Sequence, residues 1–143
     1  DLDVDVVSTA GRYLTPRDRR GLPPSVLVFD FLPAHELGGL IDASLIHGGE
    51  GTVQTACASG VPFAGIGMQM EQKLNIAECV DFGNALAFTM RDIRRHRIPF
   101  LVERLLTDAT LRRRARELAA LTQDIDGARR SAEVILRFLD DRQ

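Results

Sequence analysis

The 143-residue chain has no tryptophan and a single tyrosine, so its aromatic content rests almost wholly on seven phenylalanines. Cysteine is almost as scarce. Cys57 and Cys79 are the only two, and their spacing matches neither a zinc site nor a disulfide framework. They are expected to be buried, reduced thiols on helices of a cytoplasmic protein. No stretch of about 18 apolar residues is present, which excludes a membrane-spanning helix, and no signal peptide is visible. Positive charge is not in excess either. With 18 basic and 20 acidic residues the net charge is −2, and a nucleic-acid partner would need a basic face. Internal repeats and low-complexity tracts are also lacking.

What remains is a composition typical of a soluble globular protein, 45% apolar and 27% charged. The length fits one domain, residues 1–143. The chain opens on Asp1 and runs directly into a strand, so it is expected to be part of a longer protein.

Short apolar runs at Val4–Val7, Val26–Phe31, Ala43–Ile46, Val61–Ile66 and Ala85–Phe88 do not alternate with polar residues. Such runs suit strands covered on both faces, hence a mostly parallel sheet. Helices are predicted at Ala34–Leu40, Thr52–Ser59 and Gln72–Asp81, and Tyr13–Ser25, with Pro16, Gly21, Pro23 and Pro24, reads as a loop. The last third is helical. Pro99–Leu106 comes first, then a helix capped by Thr107-Asp108 with Leu111, Ala115, Leu118 and Ala119 on one face. A final helix opens at Asp126-Gly127, with Ala128, Ala132, Ile135, Leu136 and Leu139 on one side. The class is α/β, a Rossmann-like parallel sheet with helices on both faces, closed by C-terminal helices.

Within this frame His47-Gly48-Gly49-Glu50-Gly51-Thr52 follows a strand end and precedes a helix. Glycines allow close approach of backbone to an anion, and the helix start offers free N–H groups and the positive end of its dipole. Anion binding is therefore expected at this turn, beyond the carboxyl ends of the strands.

Read in order, Val28-Phe29-Asp30-Phe31-Leu32-Pro33 with Leu37, the His47–Thr52 turn, Gly60-Val61-Pro62, Glu71-Gln72-Lys73-Leu74-Asn75, Leu105-Leu106-Thr107-Asp108 and Asp126-Gly127-Ala128 resemble the C-terminal, donor-binding domain of the UDP-glycosyltransferase superfamily. The resemblance implies one half of a GT-B fold, N-terminally incomplete, since the family's domain normally begins with a further strand and helix. It further implies an inverting, metal-independent transfer of a hexose or deoxyhexose from a UDP- or dTDP-sugar to an acceptor hydroxyl, of a natural product or a lipid. No cofactor is implied. Phe31 and Leu32 would meet the nucleobase. His47, Gly48, Gly49, Glu50, Gly51 and Thr52 would hold the diphosphate, and of Glu50 only the backbone is credited. Glu71, Gln72 and Asn75 would address the sugar.

Two residues depart from the family pattern. Thr55 stands where many members carry a ribose-gripping Glu, and a hydroxyl cannot accept from a diol in bidentate fashion. Tolerance of dTDP beside UDP is therefore expected. Glu71 replaces Asp, reaching further into the sugar pocket. The acceptor-binding N-terminal domain, which supplies the general-base His in this family, is the expected partner, and the exposed interdomain face could let the chain self-associate. His35 and His96 are expected on the surface, the arginines of Arg91–Arg97 on a solvated face, and Met68 and Met70 as gap fillers. A noncatalytic nucleotide-sugar-binding module acting with a partner chain is the alternative. An NAD-binding domain is disfavoured because no G-x-G-x-x-G follows the first strand.

Overall fold

The computed structural model describes residues 2–141. Its five strands are β1 (Val6–Ser8), β2 (Val26–Val28), β3 (Ser44–His47), β4 (Phe63–Ile66) and β5 (Ala85–Ala87). Every pairing is parallel, but the strands form two sheets rather than one, β1 with β2 and, separately, β3, β4 and β5 in that order. The helices are α1 (Pro16–Arg20), α2 (Glu50–Ala58), α3 (Met70–Phe82), α4 (Met90–Arg94), α5 (Ile98–Thr107), α6 (Ala109–Thr122) and α7 (Gly127–Asp140).

The middle strand explains the layering. Phe63 and Ala64 are fully buried and point to opposite faces. Phe63 packs with Val53, Ala56, Cys79 and Ala85 beneath α2 and α3. Ala64 joins Leu86, Phe88, Leu105 and Leu111 on the other side, under α5 and α6. Coverage on both faces, expected of every strand, holds for β4 and for most of β5. In β1 and β2, Val6, Val7 and Leu27 stay exposed, as does Leu45 of β3.

Two local expectations are corrected. The segment predicted as loop, Tyr13–Ser25, contains α1, which begins at Pro16 behind a capping box. Thr15 Oγ1 accepts from Asp18 N–H, and Asp18 Oδ2 accepts from Thr15 N–H. Proline suits a first helical position, where its missing N–H costs nothing. Conversely, the helix predicted over Ala34–Leu40 is a single 3-10 turn, Ala34–Glu36. Gly38-Gly39 ends it, with Gly39 at φ 81°. The closing helix forms as expected, with Asp126 capping Arg129 N–H. Ile135, Leu136 and Leu139 nevertheless remain exposed, so α5 and α6 close the half and α7 does not.

Candidate diphosphate and nucleoside site

The parallel register carries β3 to His47 and delivers the chain to the first turn of α2. Gly49 is the N-cap residue, and no side chain caps this end. The N–H groups of Glu50, Gly51 and Thr52 thus lie in the first turn, where a helix offers no internal acceptor. Gly49 differs from them, because its N–H donates to Nδ1 of His47 at 3.1 Å. In a neutral ring that bond leaves the proton on Nε2, which stands 3.4 Å from Thr52 Oγ1. Imidazole N–H, threonine hydroxyl and three amides therefore share one end of α2. The Glu50 carboxylate takes a hydrogen bond from Gln54 Nε2 at 3.1 Å on the exposed side of the helix.

The three glycines of the turn serve different needs. A Cβ on Gly48 would collide with the Gln72 carbonyl and stand 2.7 Å from Ile76 Cδ1, so this glycine lets the turn pack on α3. On Gly49 it would lie 2.7 Å from the His47 ring. On Gly51 it would meet nothing within 4 Å, so no contact inside the chain requires the missing side chain there.

The residues expected at the sugar, Glu71, Gln72 and Asn75, all lie on the first two turns of α3, and all three have partners within the chain. Asn75 Nδ2 donates to Glu71 Oε1 at 2.6 Å and to the Gly48 carbonyl at 3.0 Å, tying α3 to the turn. Gln72 Oε1 accepts from the N–H of Met68 (2.9 Å) and Gln69 (3.4 Å), capping the start of α3. Its amide nitrogen has no such duty. Met68 and Met70 are exposed and fill no gap in the core.

A cavity of about 500 Å³ opens beside α2, walled by His35, Gly38, Gln54, Thr55, Ala58 and Ser59. Thr55, expected at the nucleoside, lines this cavity, and its hydroxyl proton is spent on the Gly51 carbonyl at 2.9 Å. His35, read from sequence as an indifferent surface residue, also lines this cavity. Its sole sequence signal was a position four residues beyond Phe31. Phe31 is exposed and does not wall the cavity, and Leu32 beside it is half-buried.

Among the described residues, no group of three or more His, Cys, Asp or Glu side chains could hold a metal, and no helix is long and apolar enough to cross a membrane. The arginines of Arg91–Arg97 are exposed, Arg97 pairing with Asp92 at 3.8 Å.

An all-parallel α/β half whose glycine turn leads from the end of β3 into α2 is a Rossmann-like domain. The chain belongs to the erythromycin biosynthesis protein CIII-like C-terminal domain family, whose model matches residues 1–138, and so is the C-terminal half of a GT-B fold. It is 30% identical over 141 residues to a PGL/p-HBAD biosynthesis glycosyltransferase of Mycobacterium tuberculosis, covering 97% of this chain and 32% of that protein. It is also 36% identical over 99 residues to 4'-demethylrebeccamycin synthase of Lentzea aerocolonigenes, covering 65% of this chain and 23% of the relative. Among solved structures, the calicheamicin glycosyltransferase CalG4 superposes with a TM-score of 0.82 at 27% identity, covering 95% of this chain and 36% of its own. The glycosyltransferase VinC, solved in complex with dTDP, gives 0.80 at 25% identity, covering 96% and 34%. The chain spans about a quarter to a third of the length of these proteins.

Proposed function

We infer that the chain is the donor-binding part of an inverting, metal-independent glycosyltransferase. The whole enzyme moves a hexose or deoxyhexose from a UDP- or dTDP-sugar to an acceptor hydroxyl of a natural product or lipid. The observation that carries this reading is the convergence of the Glu50, Gly51 and Thr52 amides with His47 Nε2 and the Thr52 hydroxyl on one helix end. Negative charge grows on the diphosphate as the anomeric bond breaks, and fixed donors at a helix N-terminus stabilise that charge. His47 adds a donor, because in the neutral ring the Gly49 bond to Nδ1 leaves the proton on Nε2. Thr55 and His35 border the nucleoside, with Phe31 and Leu32 toward its base. Glu71 and the free amide of Gln72 face the sugar, and Asn75 fixes the turn. Support for a thymidine donor comes from VinC, a structural relative solved with dTDP. The general base belongs to the acceptor-binding domain, the natural partner of this half, and the reaction is cytoplasmic.

Calorimetric titration with UDP, dTDP and NADH tests the reading. UDP or dTDP is expected to bind and NADH not to bind. His47→Ala and Thr52→Ala are each expected to weaken binding roughly tenfold or more, the loss of one charge-assisted hydrogen bond. A strong preference for UDP over dTDP would refute the role given to Thr55. Absence of nucleotide binding in a folded sample would refute the donor site itself.

A further inference from the structure

We propose that Cys57 and Cys79 form a peroxide-oxidisable pair, with Cys57 as the attacking sulfur and Cys79 as the resolving one, whose closure to a disulfide ties α2 to α3. The two sulfurs are 3.8 Å apart, both thiols are free, and they come from the last turns of the two helices. Bridging requires an approach of roughly 2 Å to the usual S–S length, a shift that side-chain rotation and small helix tilts supply. Cys79 is buried, whereas Cys57 is half-buried and open to a small oxidant.

The surroundings distinguish the two sulfurs. Asn84 is fully buried, and its Nδ2 donates to Cys57 Sγ at 3.7 Å while its Oδ1 has no partner. A buried amide with an unsatisfied oxygen costs stability, and what this one contributes in return is a donor aimed at a sulfur. The hydrogen bond shared with the Cys79 thiol and, with it, that from Asn84 outweigh burial to bring the Cys57 thiol down to about 7. That same bond, with burial and the negative charge of Glu78, pushes Cys79 up, so it keeps its proton. The thiolate is the nucleophile, which assigns the first step to Cys57.

The chemistry balances with a peroxide as oxidant. The Cys57 thiolate attacks one peroxide oxygen, the O–O bond breaks, and a sulfenic acid and hydroxide form, the latter taking a proton to become water. Cys79 then attacks the Cys57 sulfur, the S–O bond breaks, and the Cys79 proton leaves with the oxygen as a second water. Both thiols are oxidised and one peroxide is reduced. Reaction with a reducing thiol restores the pair.

The consequence for nucleotide binding rests on the donor-site reading above, while the disulfide does not. The first turn of α2 holds the three amides, and Gly48 and Asn75 lock the turn against α3 with no slack for a Cβ. Drawing the far ends of the two helices together shifts that contact.

The test treats the intact polypeptide with a small excess of hydrogen peroxide and maps disulfide-linked peptides by mass spectrometry, with a sulfenic-acid trap in parallel. The expected product is an intramolecular Cys57–Cys79 link, reversed by a thiol reductant. Cys79→Ser is expected to stop at trapped sulfenic acid on Cys57. Cys57→Ser is expected to leave Cys79 unreacted, and Asn84→Ala to slow the oxidation several-fold. Persistence of both thiols in wild type, or trapping on Cys79 in preference to Cys57, overturns the proposal. In a second arm, UDP and dTDP affinities are expected to fall several-fold on oxidation and to recover on reduction. Unchanged affinity despite a mapped link refutes the coupling. If neither form binds nucleotide, the donor reading fails and the peptide map alone decides the pair.

Discussion

At the scale of single residues, the turn between β3 and α2 separates glycines required by packing from one that packing leaves free. Gly48→Ala drives a methyl into the Gln72 carbonyl and is expected to destabilise the domain. Gly51→Ala, in open space on a helix, is expected to stabilise it by roughly 0.5–1 kcal/mol, as alanine does over glycine in helices. Under the proposed donor site it should also weaken nucleotide binding, because the new methyl would stand at the end of α2 to which the diphosphate is assigned. Chemical denaturation and calorimetry on the same samples check the opposed signs, and a variant that gained stability with unchanged affinity would count against a ligand at this turn. Asn75→Asp places a second carboxylate beside Glu71 and against the Gly48 carbonyl. A loss of about 1–2 kcal/mol is expected at neutral pH, fading as pH falls toward about 4, because repulsion raises the new acid's folded-state value above its unfolded value of about 3.9. The Gly-rich motif made the turn legible in the sequence. Its division of labour was not, since Gly48 answers to Gln72 and Ile76, residues some 25 positions away. His35 escaped for a related reason, because only the stop at Gly39 places its short turn beside Thr55.

At the scale of elements, aspartate caps begin several helices. Asp108 Oδ1 accepts from the N–H groups of Thr110 (2.9 Å) and Leu111 (3.2 Å). The Leu111 amide, acting against desolvation and aided by Thr110 and Arg104, lowers the Asp108 carboxyl below the ordinary aspartate range. Thr15 does the same for Asp18, and Thr89 for Asp92. A depressed folded-state value means stability that is present above the unfolded value of about 3.9 and lost as pH falls through the lower folded value. Urea unfolding midpoints are therefore expected to drop below about pH 4. Asp108→Asn, which still caps but does not titrate, should blunt that drop. Helix α6 was legible because apolar periodicity and the Asp108 cap agreed, whereas α2 and α5 begin without a side-chain cap and were read from their place after a glycine turn and a proline. The capping box of α1 was also written in Thr15-Pro16-Arg17-Asp18, but the surrounding prolines and glycine read as loop. The helix expected at Ala34–Leu40 stops after one turn at Gly38-Gly39, a glycine pair present in the sequence that takes a positive φ at Gly39.

At the scale of the whole molecule, apolar surface is unevenly hidden. Strand β4 is covered on both faces, whereas Val6, Val7, Leu27, Leu45, Ile135 and Leu139 lie open. The apolar runs correctly announced strands and an amphipathic last helix. They could not announce that this chain lacks the surfaces to cover them. Concentration-dependent self-association is the expected result, measured by sedimentation velocity, and Ile135→Glu with Leu139→Glu should reduce it. A monomer at all concentrations would show that these faces are tolerated in water. The parallel register has a last consequence, in the order of assembly. Val6 pairs with Val26, Ser44 with Phe63 and Phe63 with Ala85, so each ladder closes over about twenty residues. Loop-closure entropy is then nearly equal for all three, and no hairpin is available to nucleate either sheet early. As the chain emerges from the ribosome, each strand must wait for the segment that crosses back over it. The β3–β4–β5 sheet cannot be shielded until Leu105 and Leu111 have followed, and that interval is when this chain most needs protection from its neighbours.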